Sequence, residues 1–207
     1  QPFFSPEATN GANDPALRPL LDDIGRSAVG LMQRGPGIGA RYFGDFLAAK
    51  LPANLPTSHP GAGTTYFHLD YMNWAVDRSG GMTFWIALAD LAPKSGTMSF
   101  LSGSHHKGVL GHYRGHGEGG LLEDFPELRE QCPVTPAMTY AAGDATVHSN
   151  LTVHGAGKNR TDKPRWAYLV TVNPSDVRWN GAPPEAYNTE GMTFLQVMDD
   201  ARFPLLG

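Results

Sequence analysis

The chain has 207 residues, a formal net charge of −4, and 41% hydrophobic against 17% charged residues. This is one domain of ordinary size with enough apolar residues to close a core. It excludes a disordered acidic tail or a coiled coil, both of which need far more charge. Lys and Arg are scattered under a negative net charge, so no basic surface is offered to phosphates and a nucleic-acid partner is not expected.

Glycine (25) and proline (17) fill about a fifth of the chain, against roughly 12% in average proteins, which favours a β-rich architecture with many turns. The longest apolar stretch, Met82 to Ala89, is far short of the roughly 20 residues that cross a bilayer, so no membrane span is expected. The single cysteine, Cys132, asks for no oxidising compartment. A cytoplasmic location is the expectation. Because the chain starts at Gln1 rather than Met, a trimmed, processed or incompletely recorded N-terminus is expected, and a targeting signal ahead of it would not be visible.

No internal repeat or low-complexity tract interrupts the chain, and a single domain is expected. Its parts are an N-terminal helical part over 1–50, a barrel core over about 64–172 and a covering segment over 173–207. Between residues 16 and 31, Leu17, Leu20, Leu21, Ile24, Val29 and Leu31 recur at mostly helical spacing, which predicts a helix packed on one face. Residues 39–49, after a Gly-Pro-Gly break, read equally as a strand or a short helix. From residue 64 short runs of β-branched and aromatic residues alternate with Gly, Pro and Asp turns, predicting strands over 64–69, 82–88, 97–101, 138–141, 145–148 and 166–172. Residues 108–130 read as a long insertion over one barrel end, with a helical piece near 121–130. In the tail, Tyr187, Met192, Leu195 and Met198 have near-helical spacing, consistent with a helix over the barrel mouth or one packed on the surface.

The sharpest local feature is His68-Leu69-Asp70 at the end of a predicted strand. Residues two apart on a strand point to one face, so the His68 imidazole and the Asp70 carboxylate can converge on one metal ion. A lone motif of this kind is commonly a surface histidine beside a turn aspartate, and a second histidine is needed. His154 supplies it, after a Gly143-Asp144 turn and an apolar run. Two imidazoles and one carboxylate occupy one octahedral face and leave three positions open, as in non-haem Fe(II) oxygenases. His148 shares strand parity with His154 and competes with it as a ligand. Eleven residues after His154, Arg165 stands on the next predicted strand. A buried guanidinium is costly unless it meets an anion, and its planar fork fits a carboxylate, so a dicarboxylate such as 2-oxoglutarate would satisfy it.

With these residues the chain resembles the phytanoyl-CoA dioxygenase family of Fe(II)/2-oxoglutarate oxygenases. The resemblance runs from about Thr64 to Val172, through His68-Leu69-Asp70, the run Thr83 to Asp90, and Lys94 to His105, where Ser102 replaces the family's usual Pro. It continues through Gly143-Asp144, His154 followed by Gly155-Ala156 in place of a small-Ser pair, Asn159-Arg160 and Arg165. It implies a mainly β, double-stranded β-helix (jelly-roll, cupin-like) barrel with flanking helices. It also implies Fe(II) held by His68, Asp70 and His154, 2-oxoglutarate on Arg165 with Thr97, Trp85 and Tyr66 as further contacts, and O₂ as the second co-substrate. His148 is set second because only His154 has the family's spacing to Arg165.

The implied reaction is oxidation of a small-molecule metabolite, by default hydroxylation, with 2-oxoglutarate converted to succinate. Desaturation, epimerisation and cyclisation draw on the same oxidant. Asn73, Trp74 and Arg114 are the expected substrate contacts, and a natural product is favoured over an acyl-CoA because no basic patch awaits CoA phosphates. Two rival readings are a cupin-like metalloenzyme that does not use 2-oxoglutarate and a non-catalytic jelly-roll binding protein. Either a monomer or a homodimer is compatible with the sequence.

Overall fold

The computed structural model describes residues 11–32, 35–56, 61–111, 119–183 and 188–207. Among these residues eight strands form two antiparallel sheets: β1 (Ala40–Lys50), β2 (Thr65–His68), β3 (Met82–Ala87), β4 (Met98–Phe100), β5 (Ala145–Ser149), β6 (His154–Ala156), β7 (Arg165–Pro174) and β8 (Leu205–Leu206). The large sheet has the order β5-β3-β7-β1-β8 and the small one β2-β6-β4. Crossovers between non-consecutive strands curl the two sheets into a double-stranded β-helix, as expected from the sequence.

The interior between the sheets is built from Trp85, Ala87 and Ala167 of the large sheet against Met98, Phe100 and Ala156 of the small one, with Leu91 and Tyr140 alongside. On the outer face of the large sheet lies α1 (Arg18–Met32), which buries Leu21, Ile24 and Ala28 against Ala40, Tyr42, Phe84, Val170 and Val172. The predicted helix is therefore present and packed on one face, with Leu20, Val29 and Leu31 left on its exposed side. Two short helices, α2 (Leu121–Asp124) and α3 (Leu128–Gln131), occupy the predicted 121–130 region and pack on Leu69, Leu101 and Val153.

Residues 40–50 are a strand, paired with β7 over its whole length. Its first residues are buried on both faces, so the alternation that marks a half-buried strand is missing and periodicity could not decide. A bulge between Tyr42 and Gly44 puts Tyr42 under α1 and Phe43 against the opposite end cluster of Val76, Val177, Met192, Met198 and Phe203. Residues 138–141 form only an isolated Leu91–Tyr140 bridge rather than the expected strand. In the tail, residues 188–207 run as turns into β8 with no helix; Met192 and Met198 are nonetheless buried, while Leu195 adopts a positive φ of 61°. Tyr187 lies outside the described residues.

Gly25 lets α1 approach the sheet closely, because a Cβ there would sit 2.4 Å from Leu206 Cβ and 2.8 Å from its carbonyl carbon. Gly30 of the same helix has open space around it. Gly25→Ala should lower the melting temperature by about 3–10 °C through overpacking. Gly30→Ala should raise it by about 1–4 °C through helix propensity, and thermal denaturation of the pair checks the docking.

Candidate metal centre

Three side chains converge at the mouth of the small sheet. His68 ends β2 and His154 begins β6, and the two are register partners, which places their rings 4.4 Å apart. Leu69 keeps an extended backbone, so strand parity carries over from His68 to Asp70, the first residue of the following 3-10 turn. Asp70 Oδ1 lies 3.8 Å from His68 Nε2 and 3.7 Å from His154 Nε2. Each of the three residues offers one ligand atom, all within 4.8 Å of one another, which is a cage for a single cation.

Both imidazoles are oriented by their other nitrogen. His68 Nδ1 lies 2.7 Å from the Tyr66 carbonyl and His154 Nδ1 2.9 Å from the Thr152 carbonyl. A carbonyl only accepts, so each Nδ1 carries the proton and each Nε2 is left as a lone-pair donor. Burial by itself would raise the Asp70 carboxyl, but the surrounding imidazoles of His154, His148 and His68 hold it well below the usual carboxylate range. Burial, reinforced by His148, pushes His154 down to about 3. An ionised carboxylate beside a neutral imidazole is the protonation state that a divalent metal requires.

Across the barrel interior lies a second polar group of opposite charge. Arg165 and Lys50 are register partners on β7 and β1, both buried, at 7% and 3% exposure. Burial lowers Arg165 to about 10, and burial together with the Arg165 charge lowers Lys50 to about 7. Arg165 Nη1 donates to the Gly96 carbonyl at 2.7 Å, its guanidinium lies 5.1 Å from the Trp85 ring centroid, and Lys50 Nζ donates to Thr65 Oγ1 at 2.8 Å. Neither cation has a carboxylate partner among these contacts. Arg165 Nε is buried without a hydrogen-bond partner, while the Tyr140 hydroxyl pairs with the Thr146 side chain near the guanidinium. Two buried cations and an unused guanidinium N–H cost stability unless an anion enters, so the residues fit a bound carboxylate. Gly96 is necessary to this cradle: it has a φ of 73°, and a Cβ there would meet the Gly157 carbonyl oxygen at 2.6 Å and the Lys50 stem at 2.9 Å. Asn159 fixes the far end, donating to the Lys50 and Lys163 carbonyls. A cavity of about 330 Å³ opens between the edge strands β4 and β5, with Phe100, Met138, Thr146 and His148 in its wall.

Of the residues singled out from the sequence, the structure brings His68, Asp70 and His154 together and sets Arg165 against Trp85. Thr97 is buried, and its hydroxyl is committed to the Met138 carbonyl at 2.7 Å. Tyr66 contributes its carbonyl to His68 while its side chain is 37% exposed, and its neighbour Thr65 takes the Lys50 ammonium. Trp74 packs at 5.3 Å on Phe43 beside the end cluster, as a core aromatic. Asn73, three residues after Asp70, keeps a buried, unpartnered Oδ1, and Arg114 lies outside the described residues. His148 belongs to the cluster but faces the other carboxylate oxygen, 3.4 Å from Asp70 Oδ2. Lys50 and the Thr65 hydroxyl it donates to were not singled out from the sequence. The one available signal was a lysine closing an otherwise largely apolar strand.

A family model for phytanoyl-CoA dioxygenase (PhyH) matches residues 43–167, more than half of the chain. No curated protein matches the sequence. Among solved structures, the non-heme alpha ketoglutarate dependent carbocyclase SnoK from nogalamycin biosynthesis superposes with a TM-score of 0.71 at 24% identity, over 93% of this chain and 72% of that one. The epimerase SnoN, solved with Fe3+, alpha ketoglutarate and nogalamycin RO, gives 0.69 at 21% over 97% and 77%. EctD from S. alaskensis, solved with 2-oxoglutarate and 5-hydroxyectoine, gives 0.66 at 20% over 91% and 65%. At these identities the likeness is one of fold; the family match goes further. By it the chain belongs to the phytanoyl-CoA dioxygenase family of enzymes that depend on iron and 2-oxoglutarate.

Proposed function

We propose that the chain is an Fe(II)/2-oxoglutarate-dependent dioxygenase that hydroxylates a small natural-product metabolite. The observation that carries this reading is the pairing of a His68-Asp70-His154 cage with the buried Arg165–Lys50 cation pair across the same interior. A cupin-like metalloenzyme that does not use 2-oxoglutarate would have no use for two buried cations. When bound, iron and 2-oxoglutarate supply the activation of O₂ and the oxidation of an unreactive C–H bond, with 2-oxoglutarate leaving as succinate and CO₂.

The protein's own residues do the rest. His68 and His154 present Nε2 lone pairs locked in tautomer by backbone carbonyls, and Asp70 neutralises one metal charge. Arg165 and Lys50 receive the distal carboxylate of the co-substrate, with Trp85 under the guanidinium. Burial of these groups excludes water, which strengthens the ion pairs and shields the reacting centre. The relatives named above support a small metabolite as substrate: two are described from nogalamycin biosynthesis and one is solved with 5-hydroxyectoine. Among the described residues no helix is long and apolar enough to cross a membrane. We read the enzyme as cytoplasmic, where Fe(II) and the buried free Cys132 stay reduced.

Two outcomes test this reading. Asp70→Ala and His154→Ala should each abolish Fe(II) binding in an anaerobic titration, and iron binding at wild-type affinity in either would overturn the metal assignment. Lys50 loses its proton near pH 7, so its attraction for an anion is present below that pH and fades above it. A bound dianion raises that value, and 2-oxoglutarate affinity should fall as pH rises from 6.5 to 9. Calorimetry should show this slope in the wild type and lose it in Lys50→Met, which should also bind 2-oxoglutarate on the order of tenfold more weakly at pH 6.5.

A further inference from the structure

The two oxygens of Asp70 have different surroundings. Oδ1 faces His68 Nε2 and His154 Nε2. Oδ2 accepts a hydrogen bond of 2.6 Å from Thr83 Oγ1 and lies 3.4 Å from His148 Nε2. Thr83 and His148 are directly opposite each other in the β3–β5 pairing, so the register of the large sheet presents both side chains to one oxygen. Thr83 is 3% exposed within the apolar run Met82–Ala87. A hydroxyl buried there without a partner would be costly, and the Asp70 bond is what offsets that cost.

Resting on the iron and 2-oxoglutarate reading, we propose that Thr83, flanked by His148, is a positioning residue that keeps Asp70 a one-oxygen ligand. With Oδ2 held by the Thr83 hydroxyl and walled by His148, only Oδ1 is free to meet a cation shared with His68 and His154. Three protein donors then leave three octahedral positions open. Two are needed for a chelating 2-oxo acid and one for O₂. If Oδ2 were released, the carboxylate could swing to bind through both oxygens and would compete for a position that the 2-oxo acid needs. Thr83 therefore acts on 2-oxoglutarate affinity without touching 2-oxoglutarate.

The test compares Thr83→Val, which keeps the shape and removes the hydroxyl, with Thr83→Ser, which restores it. Fe(II) affinity is measured anaerobically, then 2-oxoglutarate affinity at saturating Fe(II), alongside the melting temperature of the metal-free protein. Thr83→Val should weaken Fe(II) binding about 10- to 100-fold, the usual effect of losing a group that orients a ligand. At saturating Fe(II) it should still need several-fold more 2-oxoglutarate, and Thr83→Ser should stay close to the wild type in both. A merely structural role for Thr83 would lower the melting temperature but leave 2-oxoglutarate affinity at saturating Fe(II) unchanged. That result, or a serine variant no better than valine, overturns the proposal. Wild-type protein that binds Fe(II) but no 2-oxoglutarate would overturn the co-substrate reading, and with it the demand for open positions. Wild-type protein that binds no Fe(II) would overturn both readings.

Discussion

A carboxylate enclosed by three imidazoles is the constraint around which the barrel is arranged. Removing Asp70 from water is unfavourable, and only a cation together with well-aimed donors makes an ionised group stable there. The fold meets this demand from both sheets. β2 and β6 of the small sheet bring His68 and His154 to one oxygen, while β3 and β5 of the large sheet bring Thr83 and His148 to the other. One side chain therefore joins the two halves of the double-stranded β-helix. The metal position can be accurate although it sits on a turn rather than within a strand.

The same logic, with the sign reversed, governs the far side of the interior. Lys50 and Arg165 are neighbours across the β1–β7 ladder and repel each other. Packing supports them: Trp85 lies under the guanidinium, the Gly96 carbonyl and the Thr65 hydroxyl take one donor each, and Asn159 pins the end of β1. None of these supports removes the charge. The same barrel thus carries a buried positive cradle and an anionic metal cage. A molecule with a chelating end and a distal carboxylate would match both, which is the basis of the proposed co-substrate site.

What could be read from the sequence was whatever depends on short range. His68 and Asp70 are two apart on extended backbone, so their convergence follows from strand parity, and the apolar positions of α1 follow from helical period. Features that depend on register between distant strands were not legible. Lys50 becomes a partner of Arg165 only through a pairing across more than a hundred residues, and Thr83 meets His148 only through the β3–β5 register. Thr97 and Trp74 show a related ambiguity: residue types that suit a binding pocket also suit a packed core, and here the Thr97 hydroxyl bonds the Met138 carbonyl while Trp74 packs on Phe43. β1 was ambiguous for a related reason, since a strand buried on both faces carries no alternation.

The central claim is that one interior binds Fe(II) through the cage and 2-oxoglutarate through the opposite cations at the same time. An anaerobic titration of metal-free protein with Fe(II), then with 2-oxoglutarate, reads this directly through the weak visible charge-transfer band of a chelated 2-oxo acid. The band should appear in the wild type at low 2-oxoglutarate concentration. In Arg165→Met it should require on the order of 100-fold more, the loss expected for a charge-assisted hydrogen-bonded pair. Bound iron with no band at any 2-oxoglutarate concentration, or a band insensitive to Arg165, would contradict the account.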